Sequence, residues 1–207
     1  CPLQVMVEVA ERHGSMILVD ESHSLGTHGP QGAGLCAALG LSHRVHFITA
    51  SLAKAFAGRA GFFTLPKALR YYVTSSSFPN IFSSCLLPHE IAGLAATLEV
   101  VRGSDAARER LHAHTARLRH CFADVGFPIE QGSEQIIALE AGPEPDTMVL
   151  RDHLEDHGVF GAVLTLSANL TEAELSHVEW AARQVAPLVK PWDWPIARRG
   201  RAQALVS

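Results

Sequence analysis

Two short segments of this chain hold residues able to do chemistry together. Ile17-Leu18-Val19-Asp20-Glu21-Ser22-His23-Ser24 is an apolar run ending in an acid, with a histidine three residues on. Ser51-Leu52-Ala53-Lys54-Ala55-Phe56-Ala57-Gly58 is a small-residue loop that presents one lysine just after a second largely apolar run, Val45 to Ala50. A buried acid at one strand end and a lone lysine at the next are what pyridoxal 5'-phosphate (PLP) chemistry needs. The lysine forms a Schiff base with the cofactor aldehyde, and the acid keeps the pyridine nitrogen protonated so that the ring can act as an electron sink. An unperturbed lysine is protonated at neutral pH, so this one needs a desolvated or cationic setting to be nucleophilic. Its neighbours Ala53, Ala55, Phe56 and Ala57 predict such a setting and argue against a surface loop.

The elements that position these residues follow from hydrophobic spacing. Leu3, Met6, Val7 and Ala10 recur at helical intervals and the pattern stops at Gly14, a C-cap residue. Met16 to Val19 is wholly apolar and bounded by turn signals, which predicts a buried parallel strand; Val45 to Ala50 and Gly61 to Leu65 read the same way. Between the first two lies Gly26-Thr27-His28-Gly29-Pro30-Gln31-Gly32-Ala33-Gly34. It lacks the GK[ST] of a P-loop and opens no helix in the dinucleotide pattern, so it is expected to form a wall of the site.

A short helix is expected after Pro66 to about Val73, followed by the hydroxyl run Thr74 to Ser77, a turn at Phe78-Pro79-Asn80 and an extended segment from Ile81 to Pro88. Pro88 starts a helix to about Arg102, and Ser104 and Asp105 cap another through Ala123, with Leu111, Leu118 and Phe122 facing inward. Beyond Phe127 the pattern changes to strand Gln135–Glu140, helix Asp146–His157, strands Val159–Leu164 and Thr165–Ala168, and helix Glu172–Val189, with Thr171 and Glu174 forming a capping box. The expected class is α/β: part of a large domain over 1–103, a small α+β domain with its connecting helix over 104–190, and a tail over 191–207.

Bulk properties narrow the function. The chain has 207 residues, 47% of them hydrophobic, enough for a real core. A net charge of −4 argues for no nucleic-acid partner. Cys1, Cys36, Cys85 and Cys121 form no CxxC pair, which fits reduced cytosolic thiols better than disulfides or zinc. His153 and His157 have the i, i+4 spacing of a helical metal pair, but they share a polar face with Glu155 and Asp156, so no metal is expected. No apolar run approaches the roughly 20 residues of a membrane span and no signal peptide opens the chain, which predicts a cytoplasmic protein. The start at Cys1 reads as part of a longer protein.

At Asp20 to Ser24 and Ser51 to Ala55 the chain resembles the α-oxoamine synthases, fold-type-I PLP enzymes whose motif is Asp-Glu-[Ala/Ser]-His-Ser, a glycine-rich loop, then [Thr/Ser]-x-x-Lys-[Ala/Gly]. The narrower likeness is to autoinducer synthases that make α-hydroxyketone or aminoketone quorum-sensing signals. It rests on Asp20 through Pro30 and on Phe78-Pro79-Asn80-Ile81-Phe82-Ser83-Ser84. The resemblance covers nearly all of 3–190 and implies a PLP-transferase large domain followed by the small domain.

It also implies roles. Lys54 forms the Schiff base and later shuttles protons at the substrate α-carbon. Asp20 pairs with the pyridinium nitrogen, His23 touches the phenolic oxygen, and Ser51 hydrogen-bonds the phosphate. Ser22 stands where many relatives have alanine under the ring. Ser83 and Ser84 either reach the phosphate of a neighbouring subunit or are turn residues. The implied reaction joins an acyl-CoA to a small amino acid in a homodimer. A housekeeping relative of the aminooxobutyrate or biotin-precursor type, or a non-catalytic truncated partner, stands as the alternative.

Two departures accompany the likeness. The first half of such enzymes, with its ring-stacking group, is missing. So is the arginine, in a Pro-rich loop, that grips a substrate carboxylate: Val163 runs directly into Leu164-Thr165-Leu166-Ser167. The residues present thus supply only part of such a site.

Overall fold

The computed structural model describes residues 1–127, 129, 135–139, 144–160, 164–165, 169–185 and 187. The chain divides after Arg108 into two compact units. The first opens with helix α1 (Leu3–Arg12), strand β1 (Leu18–Asp20), the short helix α2 (Leu35–Ala38) and strands β2 (Phe47–Ser51) and β3 (Gly61–Thr64). Leu3 and Val7, one helical turn apart, join Ile17, Cys36 and Leu41 in a core on which Val19 and Ile48 also pack.

The sheet order is β1-β2-β3. β1 runs parallel to β2, placing Leu18, Val19 and Asp20 opposite Phe47, Ile48 and Thr49. β3, expected to be parallel, is antiparallel to β2, with Ser51 opposite Gly61. The reason is the length of the connection: parallel neighbours need a crossover of about a dozen residues or more, and only Leu52 to Ala60 is available. The strands are also less buried than their composition suggests. Leu18 is 56% exposed, because alternation turns Val19 into the core and Leu18 to the opposite face.

Next come α3 (Arg70–Ser76), α4 (Phe78–Phe82) and α5 (Pro88–Arg102). α4 corrects the expected turn and extended run: Pro79 sits in a first helical turn, and the N–H groups of Asn80 and Ile81 both donate to the Ser77 carbonyl. Of the expected turn and extended run, only Ser83 to Leu87 lies outside helices. Pro88 does open α5, and the Glu90 carboxylate accepts the Leu87 N–H at 2.7 Å.

Helix α6 (Asp105–Asp124) leads into the second unit, which holds β4 (Ile136–Ile137), α7 (Glu144–Asp156), β5 (Leu164–Thr165) and α8 (Glu172–Val185). Leu111, Leu118 and Phe122 are buried as their spacing predicts, and Phe127 meets Phe122 edge-on at 5.5 Å between ring centroids. β4 pairs antiparallel with β5. Val159 is buried in this core but belongs to no strand, and β5 begins only at Leu164, so the two expected strands over 159–168 are corrected on that point. Residues 161–163 and 166–168, and with them the Val163–Leu164 junction, lie outside the described residues, as does the tail. The capping box of α8 forms: Glu174 accepts from the Thr171 N–H and hydroxyl at 2.7 and 2.8 Å, and its own N–H donates to Thr171 Oγ1 at 3.3 Å.

Candidate active site

Asp20 ends β1 and Lys54 follows the end of β2, so both lie at the carboxyl ends of two parallel, hydrogen-bonded strands. In α/β sheets this edge is where ligands bind. The last bond of the β1–β2 ladder is donated by Glu21 N–H to the Thr49 carbonyl at 2.7 Å. Beyond it Ser22 ties the two chain ends together, its Oγ accepting the Ser51 N–H at 2.7 Å.

Asp20 is exposed; the buried acid is its neighbour Glu21, which is 2% exposed. Side chains alternate along an extended chain, so the two carboxylates part company. Glu21 turns inward and accepts the N–H groups of Leu35 and Cys36 at 3.1 and 2.7 Å, capping α2. Asp20 faces the open edge, with Oδ1 accepting the Ser22 N–H at 2.8 Å. The Ser22 hydroxyl, then the Ser22 N–H, hold the Asp20 carboxyl below the usual aspartate range, and nearby His23 adds to the effect. An anionic carboxylate at neutral pH is what a pyridinium partner requires.

Lys54 is exposed rather than desolvated, and so are Ala53, Ala55 and Ala57; of the apolar flank only Phe56 is buried, at 8%. Small residues shape the loop here without shielding the lysine. Phe56 anchors it, the Ala57 N–H donates to the Lys54 carbonyl at 3.0 Å, and Ala57 adopts the left-handed region at φ 47°. Strain of this kind collects at functional sites. Ser51 Oγ accepts the Ala53 N–H at 3.3 Å.

His23 is exposed one turn after Asp20, its carbonyl accepting the Thr27 hydroxyl at 3.0 Å. The glycine-rich loop walls this edge. It closes on itself through Gly26 N–H to the Gly32 carbonyl and Gly34 N–H to the His28 carbonyl, both at 2.8 Å. Ser83 and Ser84 are exposed between α4 and α5, Ser84 at φ 65°, and neither makes a side-chain hydrogen bond to the β1 or β2 loops. The structure therefore brings Asp20, Ser22, His23, Ser51 and Lys54 to one sheet edge.

Sequence reasoning passed over two supporting residues. Glu21 was legible only as half of an Asp-Glu pair, although alternation alone separates the roles. Arg108 is 7% exposed and binds Asp105 while donating to the carbonyls of Val101 at 2.6 Å and Gly26 at 3.4 Å, pinning the glycine-rich loop to the end of α5. Its position on α6, far along the chain from the loop, carried no signal.

Over most of its length the chain is similar to known proteins. Residues 2–177 match the family of class I and II aminotransferases. The chain is 43% identical over 197 residues to a CAI-1 autoinducer synthase of Vibrio campbellii, covering 88% of this chain and 50% of that protein. It is 33% identical over 210 residues to an 8-amino-7-oxononanoate synthase of Anaeromyxobacter dehalogenans, covering 95% and 53%. Among solved structures, a serine palmitoyltransferase from S. paucimobilis, with a bound PLP–myriocin aldimine, superposes with a TM-score of 0.82 at 26% identity, over 92% of this chain and 51% of that one. The chain spans about half the length of the relatives it matches.

Proposed function

Since the chain belongs to the class I and II aminotransferase family, with α-oxoamine synthases as its relatives, we propose that it supplies the lysine and the ring-nitrogen partner of a PLP-dependent acyltransferase. The reaction is condensation of an acyl-CoA with a small amino acid to an α-aminoketone-type product, a precursor of a quorum-sensing autoinducer. One observation carries this reading: Asp20 and Lys54 sit at the carboxyl ends of adjacent parallel strands, joined there by the Ser51-to-Ser22 hydrogen bond. The higher identity to the autoinducer synthase than to the oxononanoate synthase supports the finer assignment.

The residues present fit the cofactor. An ionised carboxylate, an amine on a neighbouring loop and a hydroxyl at the strand end are the donor set that a pyridine nitrogen, an aldehyde and a phosphate call for. When bound, PLP supplies the electron sink for charge developing at a substrate α-carbon.

Each side chain then has a task. Asp20 keeps a proton on the pyridine nitrogen. Lys54 Nζ holds the cofactor and afterwards carries the proton at the substrate α-carbon. His23 donates to the phenolic oxygen, and Ser51 Oγ binds phosphate. Ser83 and Ser84 reach the phosphate of a second subunit in a cytoplasmic homodimer. The exposed Tyr71, Tyr72, Phe78 and Phe82 support a face covered by further protein.

Borohydride reduction of the PLP-loaded protein, followed by peptide mapping, tests the reading. The pyridoxyl group is expected on Lys54; an adduct on Lys67 or Lys190 overturns it. CoA release from acyl-CoAs of different lengths with small amino acids then tests the substrate class.

A further inference from the structure

We infer that Ser22 is a positioning residue that links the Asp20 carboxylate, held by its N–H, to the backbone that starts the lysine loop, held by its hydroxyl. β2 outruns β1 at this edge. Past the bond from Glu21 N–H to the Thr49 carbonyl, β1 has no further ladder carbonyl to offer, yet Ser51 N–H still faces that side. On the opposite side Leu52 N–H is satisfied by the Ala60 carbonyl at 2.8 Å. An unpaired backbone donor is costly, and Ser22 Oγ, at 2.7 Å, takes the place of the missing carbonyl.

A hydroxyl has one proton to give and two lone pairs to accept with. With the Ser51 N–H on a lone pair, the hydroxyl beside Asp20 also helps to hold that carboxyl below its usual range. The Ser22 backbone N–H holds Oδ1 of the same carboxylate at 2.8 Å. The order of donation is thus Ser51 N–H to Ser22 Oγ, and Ser22 N–H to Asp20 Oδ1. Through this one residue the acid at one strand end is tied to the loop carrying the amine at the next. Alanine at this position cannot accept the Ser51 N–H. This deepens the PLP reading and rests on it for its catalytic meaning, while the relay is measurable without the cofactor.

The test uses cofactor-free protein and the variants Ser22→Ala and Ser22→Thr. Carbon-detected NMR follows the titration of the Asp20 carboxyl, and amide hydrogen exchange follows Ser51. In Ser22→Ala the Asp20 midpoint should move up, since the hydroxyl that lowers it is gone, and Ser51 exchange should accelerate on the order of tenfold. Ser22→Thr, which keeps the hydroxyl, should restore both. An unchanged Asp20 titration together with unchanged Ser51 exchange in Ser22→Ala overturns the relay. Should the alanine variant not fold, the unsubstituted protein decides. Ser51 must be protected and Asp20 must titrate below free aspartate, and the lack of either overturns the proposal. Loss of the Lys54 adduct in the unsubstituted protein with these signals intact refutes the cofactor reading and leaves the relay standing.

Discussion

Gly26 and Ala55 touch where only a glycine fits: a Cβ on Gly26 would stand 2.6 Å from the Cβ of Ala55. The glycine-rich loop thereby braces the residue next to Lys54. Gly26 is also at φ 84°, a region costly for any L side chain. Both effects act in the same direction, so Gly26→Ala should destabilise the first unit by about 1–3 kcal/mol and displace the lysine loop. Urea unfolding reads the first effect and the yield of pyridoxyl-Lys54 the second. A variant with parental stability and parental labelling would show that the two loops are not in register at this point.

The Glu21–Cys36 contact gives a prediction in pH. Burial, with the Glu21 carboxylate adding to it, pushes the Cys36 thiol up to about 12. Cys36 should therefore resist alkylation at pH 8 while exposed Cys1 and Cys85 react. A raised thiol leaves stability intact below the unfolded thiol's range, near 8.5. Stability then declines as pH rises toward the folded value, because only the unfolded chain ionises early. Glu21→Ala removes the acceptor of two backbone N–H groups and should cost about 1–3 kcal/mol. Mass spectrometry of alkylated protein checks the order of labelling, and prompt modification of Cys36 in the folded state would contradict it.

Much of this fold is legible in the sequence, and what is not legible shares a cause. The caps at Thr171 and Pro88, and the inward row Leu111, Leu118, Phe122, are local patterns, and local physics realised them. The strand-end acid and the lysine loop were legible because a short apolar run followed by a polar residue marks where a parallel strand ends. What went astray depended on partners distant in sequence or on direction. Asp20, expected to be buried, is exposed, and alternation buries Glu21 instead. β3 runs antiparallel because its connection is short. Arg108 reaches Gly26, whose carbonyl no periodicity could associate with it. The Ser22–Ser51 bond belongs to the same class, since it exists only once the two strands lie side by side.

In the second unit, Arg117 of α6 joins Glu179, at 2.6 Å, and Glu172 of α8. The Arg117 hydrogen bond holds the Glu179 carboxyl below its usual range. A depressed carboxyl contributes stability that is present above its unfolded value and is lost as pH falls through the folded one. Arg117→Met should therefore shift the acid-unfolding midpoint to higher pH, with a smaller effect under high salt, which screens the exposed Arg117–Glu172 pair. An acid transition identical to that of the parent would show that the cluster holds nothing.

The sharpest chemical prediction concerns Asp20. Its carboxyl is held below the usual aspartate range first by the Ser22 hydroxyl and then by the Ser22 N–H, so it is anionic at neutral pH and well into acid. In the proposed site that charge keeps the pyridine nitrogen protonated. Asn in its place is nearly isosteric but neutral and cannot hold the proton. Asp20→Asn should accordingly retain PLP and its visible absorbance, because Lys54 still holds the cofactor. Turnover should fall by on the order of tenfold to a hundredfold, since each ~1.4 kcal/mol of lost transition-state stabilisation is a factor of ten. The parent's activity should decline at acid pH only as Asp20 takes up its proton, in the direction expected for a depressed carboxyl. CoA release measured at saturating substrate separates this from weaker binding, because the loss should appear in kcat rather than KM. Turnover close to the parent's in Asp20→Asn would remove Asp20 from the mechanism.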